Sequence, residues 1–270
     1  GIHFSMEQQS IRKLKIGPTT EDPVHLAHIE QAWHRFARRF PLPINFGEKQ
    51  FCCITSEGTI DGIAAAFLDE ANSSDNCTIA VDWVRFTARS DSDQELTLLH
   101  ECIHLMFMTG SLRQHTLDGY AWLRGWRLSS SPLVSLAYGA WSRVQEVMAE
   151  LYLQAHYPST GRERVAYLIG LANGSVLTDT GPFRSVRALI QLLQLDLLVR
   201  LAAGSSSEHL ARAQELAHAC ELNLSQESLI PSADVEAFRN ELSQITFEPM
   251  QYKVDCCQRV TNHILGLIPI

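Results

Sequence analysis

The sequence predicts an α+β fold: a small mixed or antiparallel sheet, followed by an all-helical C-terminal extension. Short apolar runs separated by turn signals are confined to about residues 49–82. Apolar residues at helical spacing precede this stretch and continue after it. Strands in one block and helices in another are typical of α+β chains. We therefore predict two domains, residues 1–160 with the sheet and residues 161–270 with helices alone.

The first helix is predicted to begin at Asp22-Pro23, where a capping residue is followed by a proline suited to the first turn. Its apolar residues keep helical spacing up to Pro41-Leu42-Pro43, which ends it. The predicted strands then span residues 51–55, 62–67 and 78–83. Polar and glycine-containing stretches between them mark the turns.

A long helix is predicted from Asp93 to Met108. Ser92 and Glu95 have the spacing of a capping box at its start. Gly110 is suited to its C-terminal end.

The next helix is predicted from Ser131-Pro132 to about His156, and helices alone follow. These later helices are predicted at residues 162–171, 182–203, 206–222, 232–245 and 252–265. The leucine-rich helix at 182–203 is apolar on more than one face, so we expect it at the centre of the extension.

The composition, with 46% hydrophobic and 19% charged residues, is typical of a soluble globular protein. No apolar run reaches the roughly 18 residues needed to cross a bilayer, and the first residues lack the apolar core of a secretory signal. The formal net charge of −8 gives no electrostatic footprint for nucleic acid, although an activating nucleic acid stays open.

The seven cysteines argue against a disulfide framework, because their number is odd and no secretory signal accompanies them. No pair has the CxxC spacing of a cysteine-rich zinc site. We therefore expect a cytoplasmic protein.

The stretch LLHECIH, residues 98–104, places two histidines and a glutamate on a predicted helix. His100 and His104 share a helix face because they are four residues apart. Two neutral imidazoles and a carboxylate suit Zn²⁺, which leaves its fourth position to water. Glu101 would act as the general base on that water. The motif thus predicts a zinc metallopeptidase; the alternative is a partly exposed helix whose histidines are merely polar.

An apolar stripe beside the motif favours the metal site, because it would anchor the helix in a core. Its members are Leu96, Leu99, Ile103 and Phe107. Cys102 lies on the neighbouring face, and we expect it to pack in the core.

Two downstream carboxylates are candidates for the third protein ligand. Glu146 and Glu150 are four residues apart on a predicted helix and are surrounded by apolar residues. A buried carboxylate is costly unless a metal or a histidine N–H compensates it. We predict Glu146 as the ligand and Glu150 as the acceptor for a ligand histidine. The reverse assignment stays open, and so does an exposed charged stripe.

His115 is also a candidate for the third ligand, in a segment that we predict to be a loop. The pattern HExxHxxGxxH fails, because Phe107 stands at its glycine position and Gly110 at its last histidine position. We expect His115, together with Tyr120, to donate hydrogen bonds to the developing oxyanion instead.

The stretch TIAVDWVRFTARSDSDQELTLLHECIHLMF, residues 78–107, resembles the ImmA/IrrE-like metallopeptidases. QEVMAELYLQAHYP, residues 145–158, is similar to the third-ligand helix of that family. The resemblance covers about residues 40–158 and implies a zincin-like fold in the gluzincin arrangement. It implies that His100, His104 and Glu146 bind zinc and that Glu101 is catalytic.

The resemblance also implies a protein substrate. Members of that family act in the bacterial cytoplasm and commonly cleave helix-turn-helix repressors encoded nearby, in stress or phage-defence responses. SprT-type proteases share the LLHExxH helix but take a third histidine from a downstream helix, for which only His115 and His156 are available. The same motif residues would also suit an effector protease with a host-protein target. An inactive zincin fold that serves as a regulatory binding module is the hypothesis without catalysis.

Overall fold

The computed structural model describes most of the chain in eight stretches and a few single positions. The described residues are 23–40, 49–54, 62–68, 77–108, 113–125, 131–173, 184–226 and 231–244, with 258–259, 262–263 and 266. The chain divides into two compact units, Gly1–Leu117 and Asp118–Ile270. The predicted domain boundary at residue 160 stays a prediction.

The first unit contains a three-stranded sheet that follows helix α1 (Pro23–Arg39). Its strands are β1 (Lys49–Ile54), β2 (Ala64–Leu68) and β3 (Cys77–Asp82). Strand β3 lies in the middle, parallel to β1 and antiparallel to β2. Ile79, Ala80 and Val81 are completely buried, as a central strand covered on both faces requires.

Asp82 ends β3 and begins the short helix α2 (Trp83–Thr87). Its carboxylate accepts a hydrogen bond of 3.1 Å from the backbone N–H of Arg85, which is a capping contact. The turn after α2 leads to α3 (Asp91–Met108), the helix that contains the LLHECIH stretch. Helix α3 packs against α1 and β2.

The start of α3 differs from the predicted capping box. Ser90 is the cap, since its hydroxyl accepts a hydrogen bond of 3.2 Å from the backbone N–H of Asp93. The hydroxyl of Ser92 instead accepts from Arg39 at 2.6 Å, and Glu95 pairs with Arg35 and Arg39. The two residues that the sequence assigned to a cap therefore attach α3 to α1.

The rest of the described chain is helical. Its helices are α4 (Arg113–Gly125), α5 (Ser131–His156), α6 (Gly161–Asn173), α7 (Arg184–Ala203), α8 (Ser207–Gln226) and α9 (Ser232–Ser243), with a 3-10 turn at Pro158–Thr160. Helix α7 packs against α5, α6, α8 and α9, which confirms the prediction that it lies at the centre of the helical extension. The predicted helix at 252–265 lies largely outside the described residues.

Polar contacts hold α7, α8 and α9 together. Arg239 of α9 donates to both carboxylate oxygens of Asp196 at 2.9 and 2.7 Å and to Glu221 at 2.6 Å. Nearby, burial raises the pKa of the Cys220 thiol to about 12, so this cysteine is an unreactive packing residue.

The prediction of an α+β, zincin-like fold is wrong, because the described chain is predominantly helical. The three strands contain six, five and six residues, whereas α5 alone contains 26. Strand signals are confined to one short stretch, and a sheet of this size can cover little core. Packing of helix on helix builds most of the described interior instead.

Within the ranges that the structure describes, no helix combines the length and the apolar character needed to cross a bilayer.

Gly119 of α4 tests how closely the helices pack, since an added Cβ there would overlap the six-membered ring of Trp141. We expect Gly119→Ala to lower the free energy of unfolding by about 1–3 kcal/mol, because overpacking forces neighbouring atoms to move. Gly170→Ala is the matched control, since a Cβ there meets nothing within 4 Å. It should stabilise α6 by about 0.5–1 kcal/mol through helix propensity. Chemical denaturation measures both stabilities. Equal stability of Gly119→Ala and the parent would contradict the close contact between Gly119 and the Trp141 ring.

Candidate metal centre

His100, Glu101 and His104 lie in the middle of α3, and all three are buried. The Nε2 atoms of His100 and His104 are 3.0 Å apart. Their rings meet edge to face, with centroids 4.6 Å apart and an interplanar angle of 79°. Two imidazole nitrogens therefore face each other at the spacing of either an N–H···N hydrogen bond or a shared metal ion.

The surroundings of these residues differ from the predicted amphipathic helix, since α3 is buried on every face from Gln94 to Met108. Gln94, in the same buried stretch, has identified partners. It donates to the carbonyls of Phe86 and Arg89, both at 3.1 Å, and accepts from Arg35 at 3.0 Å. Buried polar groups are costly without such partners, and these contacts compensate the amide of Gln94. Cys102 is buried as predicted.

The two predicted carboxylates lie one turn apart on α5, and one of them forms an ion pair with α6. Arg164 Nε donates to both oxygens of Glu150, at 2.9 and 3.1 Å, and Arg164 Nη2 also donates to Oε1. Both side chains are buried, with 7% exposure at Arg164 and 3% at Glu150. Glu146 is less buried than Glu150.

The environment of Arg164 stabilises its charged form. Burial by itself would lower the pKa of this guanidinium. The charge and hydrogen bonds of Glu150 outweigh burial, with smaller contributions from Tyr167 and Glu146, so the pKa is raised. The guanidinium carbon also lies 4.8 Å from the centre of the Tyr167 ring, a cation–π contact.

His100, His104 and Glu146 form a group that could hold a metal ion. Each offers one ligand atom, and these atoms all lie within 4.8 Å of one another. Two nitrogens at zinc-bond lengths in a tetrahedron are about 3.3 Å apart, close to the observed separation of the histidine nitrogens. The donor set of two imidazoles and a carboxylate therefore fits Zn²⁺.

The remaining predicted site residues have different outcomes. His115 and Tyr120 lie in helix α4, so the predicted loop at His115 is wrong; their side chains lie outside the described residues. Their roles as oxyanion donors stay predictions. The role of Glu150 as acceptor for a ligand histidine also stays a prediction, and the structure adds Arg164 as the partner of its carboxylate.

Arg164 is the residue that the sequence did not single out. It lies fourteen positions after Glu150, beyond a proline and a glycine and in the next helix, and no helical spacing relates the two residues. The only available signal was the general rule that a buried carboxylate requires a cation or a donor.

Comparison of the chain with models of protein families, with curated proteins and with solved structures finds no match. The resemblance to the ImmA/IrrE-like peptidases therefore stays a prediction.

Metal analysis tests the centre directly. We expect the purified chain, dialysed against Zn²⁺ and then against metal-free buffer, to retain one zinc ion, since three donors converge on one point. His100→Ala and Glu146→Gln should each lose most of that zinc. His218→Ala, which removes an exposed histidine of α8, is the control and should retain it. Equal zinc content in all four proteins would contradict the site.

Removing one partner of the Arg164–Glu150 pair should destabilise the protein more than removing both. Arg164→Met should lower the free energy of unfolding by about 3–5 kcal/mol, because a buried carboxylate is left without compensation. Replacing both residues by methionine should recover most of that loss, since neither charge is then buried. Chemical denaturation of both variants checks this. A double variant as unstable as Arg164→Met would show that the loss does not come from the unpaired charge.

Proposed function

We propose that this chain is a zinc-dependent endopeptidase that hydrolyses a specific protein substrate. The observation that carries the proposal is the convergence of one ligand atom each from His100, His104 and Glu146, with Glu101 adjacent to a ligand histidine on α3. Two imidazoles and one carboxylate complete three positions of a tetrahedral zinc site, as catalytic zinc sites require.

When bound, zinc supplies Lewis-acid polarisation of the scissile carbonyl and lowers the pKa of water. The chain supplies the rest. The Glu101 carboxylate takes a proton from the attacking water and transfers it to the nitrogen of the leaving amine. The burial of Glu101 within α3 limits contact of its carboxylate with bulk solvent.

The substrate class follows from the resemblance of residues 78–107 and 145–158 to the ImmA/IrrE-like peptidases. We propose a helix-turn-helix transcriptional repressor as the substrate, cleaved in the cytoplasm during a stress or phage-defence response. We infer the substrate and the chemistry of that family for this chain, but not its fold, since the described chain is predominantly helical.

Glu101→Gln separates metal binding from catalysis, because the amide cannot act as a base while both imidazoles are retained. We expect cleavage of a co-expressed repressor to fall by at least about 100-fold, with zinc content unchanged. Glu208→Gln, at an exposed glutamate in the first turn of α8, is the matched control and should cleave normally.

Repressors encoded beside the gene are the proteins to co-express, and mass spectrometry of the fragments locates the cut. When the reaction is run in ¹⁸O-labelled water, one label should appear at the new carboxyl terminus, which identifies hydrolysis. Cleavage that persists in Glu101→Gln and in the presence of a chelator would refute the zinc mechanism. Full biological activity of Glu101→Gln would instead indicate a regulatory binding module.

A further inference from the structure

We propose that Arg164 determines which of the two carboxylates on α5 binds the metal: it holds Glu150 in an ion pair and leaves the ligand position to Glu146. Arg164 is then a positioning residue, since it acts through Glu150 rather than on the reacting atoms. The inference rests on the proposed metal centre. It adds that Arg164 selects which of two chemically identical carboxylates becomes the ligand.

The selection is needed because of where the carboxylates lie. Glu146 and Glu150 are one helical turn apart, so they share a face of α5. Side chains on a helix lean towards its N-terminus, so the side chain of Glu150 extends over the turn that begins at Glu146. Two like charges at this spacing also repel each other. Without a third group, both carboxylates could compete for one cation.

Arg164 addresses both the competition between the two carboxylates and their mutual repulsion. Its planar guanidinium donates to both oxygens of Glu150, so neither oxygen lacks a charged donor. The pair is buried, which makes its exchange for water unfavourable. The guanidinium hydrogen-bonds to Glu150, and Glu146 is the carboxylate that joins the histidines in the ligand group.

Cobalt(II) is the probe, since it replaces zinc in such sites and its visible absorption reports coordination. The decisive comparison is between Glu146→Gln and the double variant Glu146→Gln/Arg164→Met. We expect Glu146→Gln to lose most Co²⁺ binding. Removing Arg164 as well should release Glu150 and restore affinity about 10-fold or more, within the range that neighbours of ligands usually control.

The control for this rescue removes the second carboxylate. Adding Glu150→Gln to the double variant should abolish the recovered binding, since no carboxylate on this face of α5 is then left. If Arg164 merely stabilised the fold, its removal would have the opposite effect, because it could only weaken binding further. A folded double variant that binds Co²⁺ no better than Glu146→Gln would overturn the proposal.

If Arg164→Met is too unstable to purify, Arg164→Lys is the alternative, because it keeps the positive charge that compensates Glu150. A lysine ammonium cannot hold both carboxylate oxygens with the fixed geometry of a guanidinium. In the Glu146→Gln chain we expect Arg164→Lys to restore part of the Co²⁺ affinity. Absence of any recovery in this folded variant would also overturn the proposal.

The unaltered chain distinguishes failure of this inference from failure of the proposed function. If it bound no Co²⁺, the metal centre and the role of Arg164 would both be refuted. If it bound Co²⁺ and the rescue appeared, but no repressor were hydrolysed, the peptidase assignment would fail while ligand selection by Arg164 was supported.

Discussion

Burial of polar groups inside a single helix is the constraint on which the site depends. Helix α3 is buried on all sides from Gln94 to Met108, and yet it carries two histidines and a glutamate in its middle. Bulk water reaches these groups only slightly, so most of their compensation comes from the protein or from a bound ion. Arginines of α1 compensate Glu95 at the start of the helix. Further along the helix, the Nε2 atoms of His100 and His104 lie 3.0 Å apart.

The same constraint operates on α5, with a different solution. Glu150 is among the most buried charged residues described, and Arg164 provides hydrogen bonds to both of its oxygens and an opposite charge. A pair of this kind contributes little net stability, because desolvation of both ions offsets their attraction. Its value lies in specificity, since it commits one carboxylate to a structural partner one turn away from the carboxylate that joins the histidines.

Local sequence signals predicted individual elements better than the fold class. The three strands lie within a few residues of their predicted positions, and α1, α5 and α7 begin and end close to prediction. The predicted α+β class was wrong because we interpreted three short strands as the basis of a domain, although helices build most of the described interior. The cap of α3 was misplaced by two residues because Ser90 and Ser92 have the same chemistry. The structure distinguishes them, since Ser90 accepts from the backbone of Asp93 and Ser92 accepts from Arg39.

The sequence by itself determined that His100, Glu101 and His104 share one helix and that Glu146 and Glu150 share another, because periodicity is a local property of the chain. Tertiary structure alone decided that α3 is buried on every face and that Arg164 pairs with Glu150. It also decided that the ligand atoms of His100, His104 and Glu146 lie within 4.8 Å of one another. The reason is physical: contacts between separate helices depend on packing, and no spacing along the chain encodes which side chain will meet which.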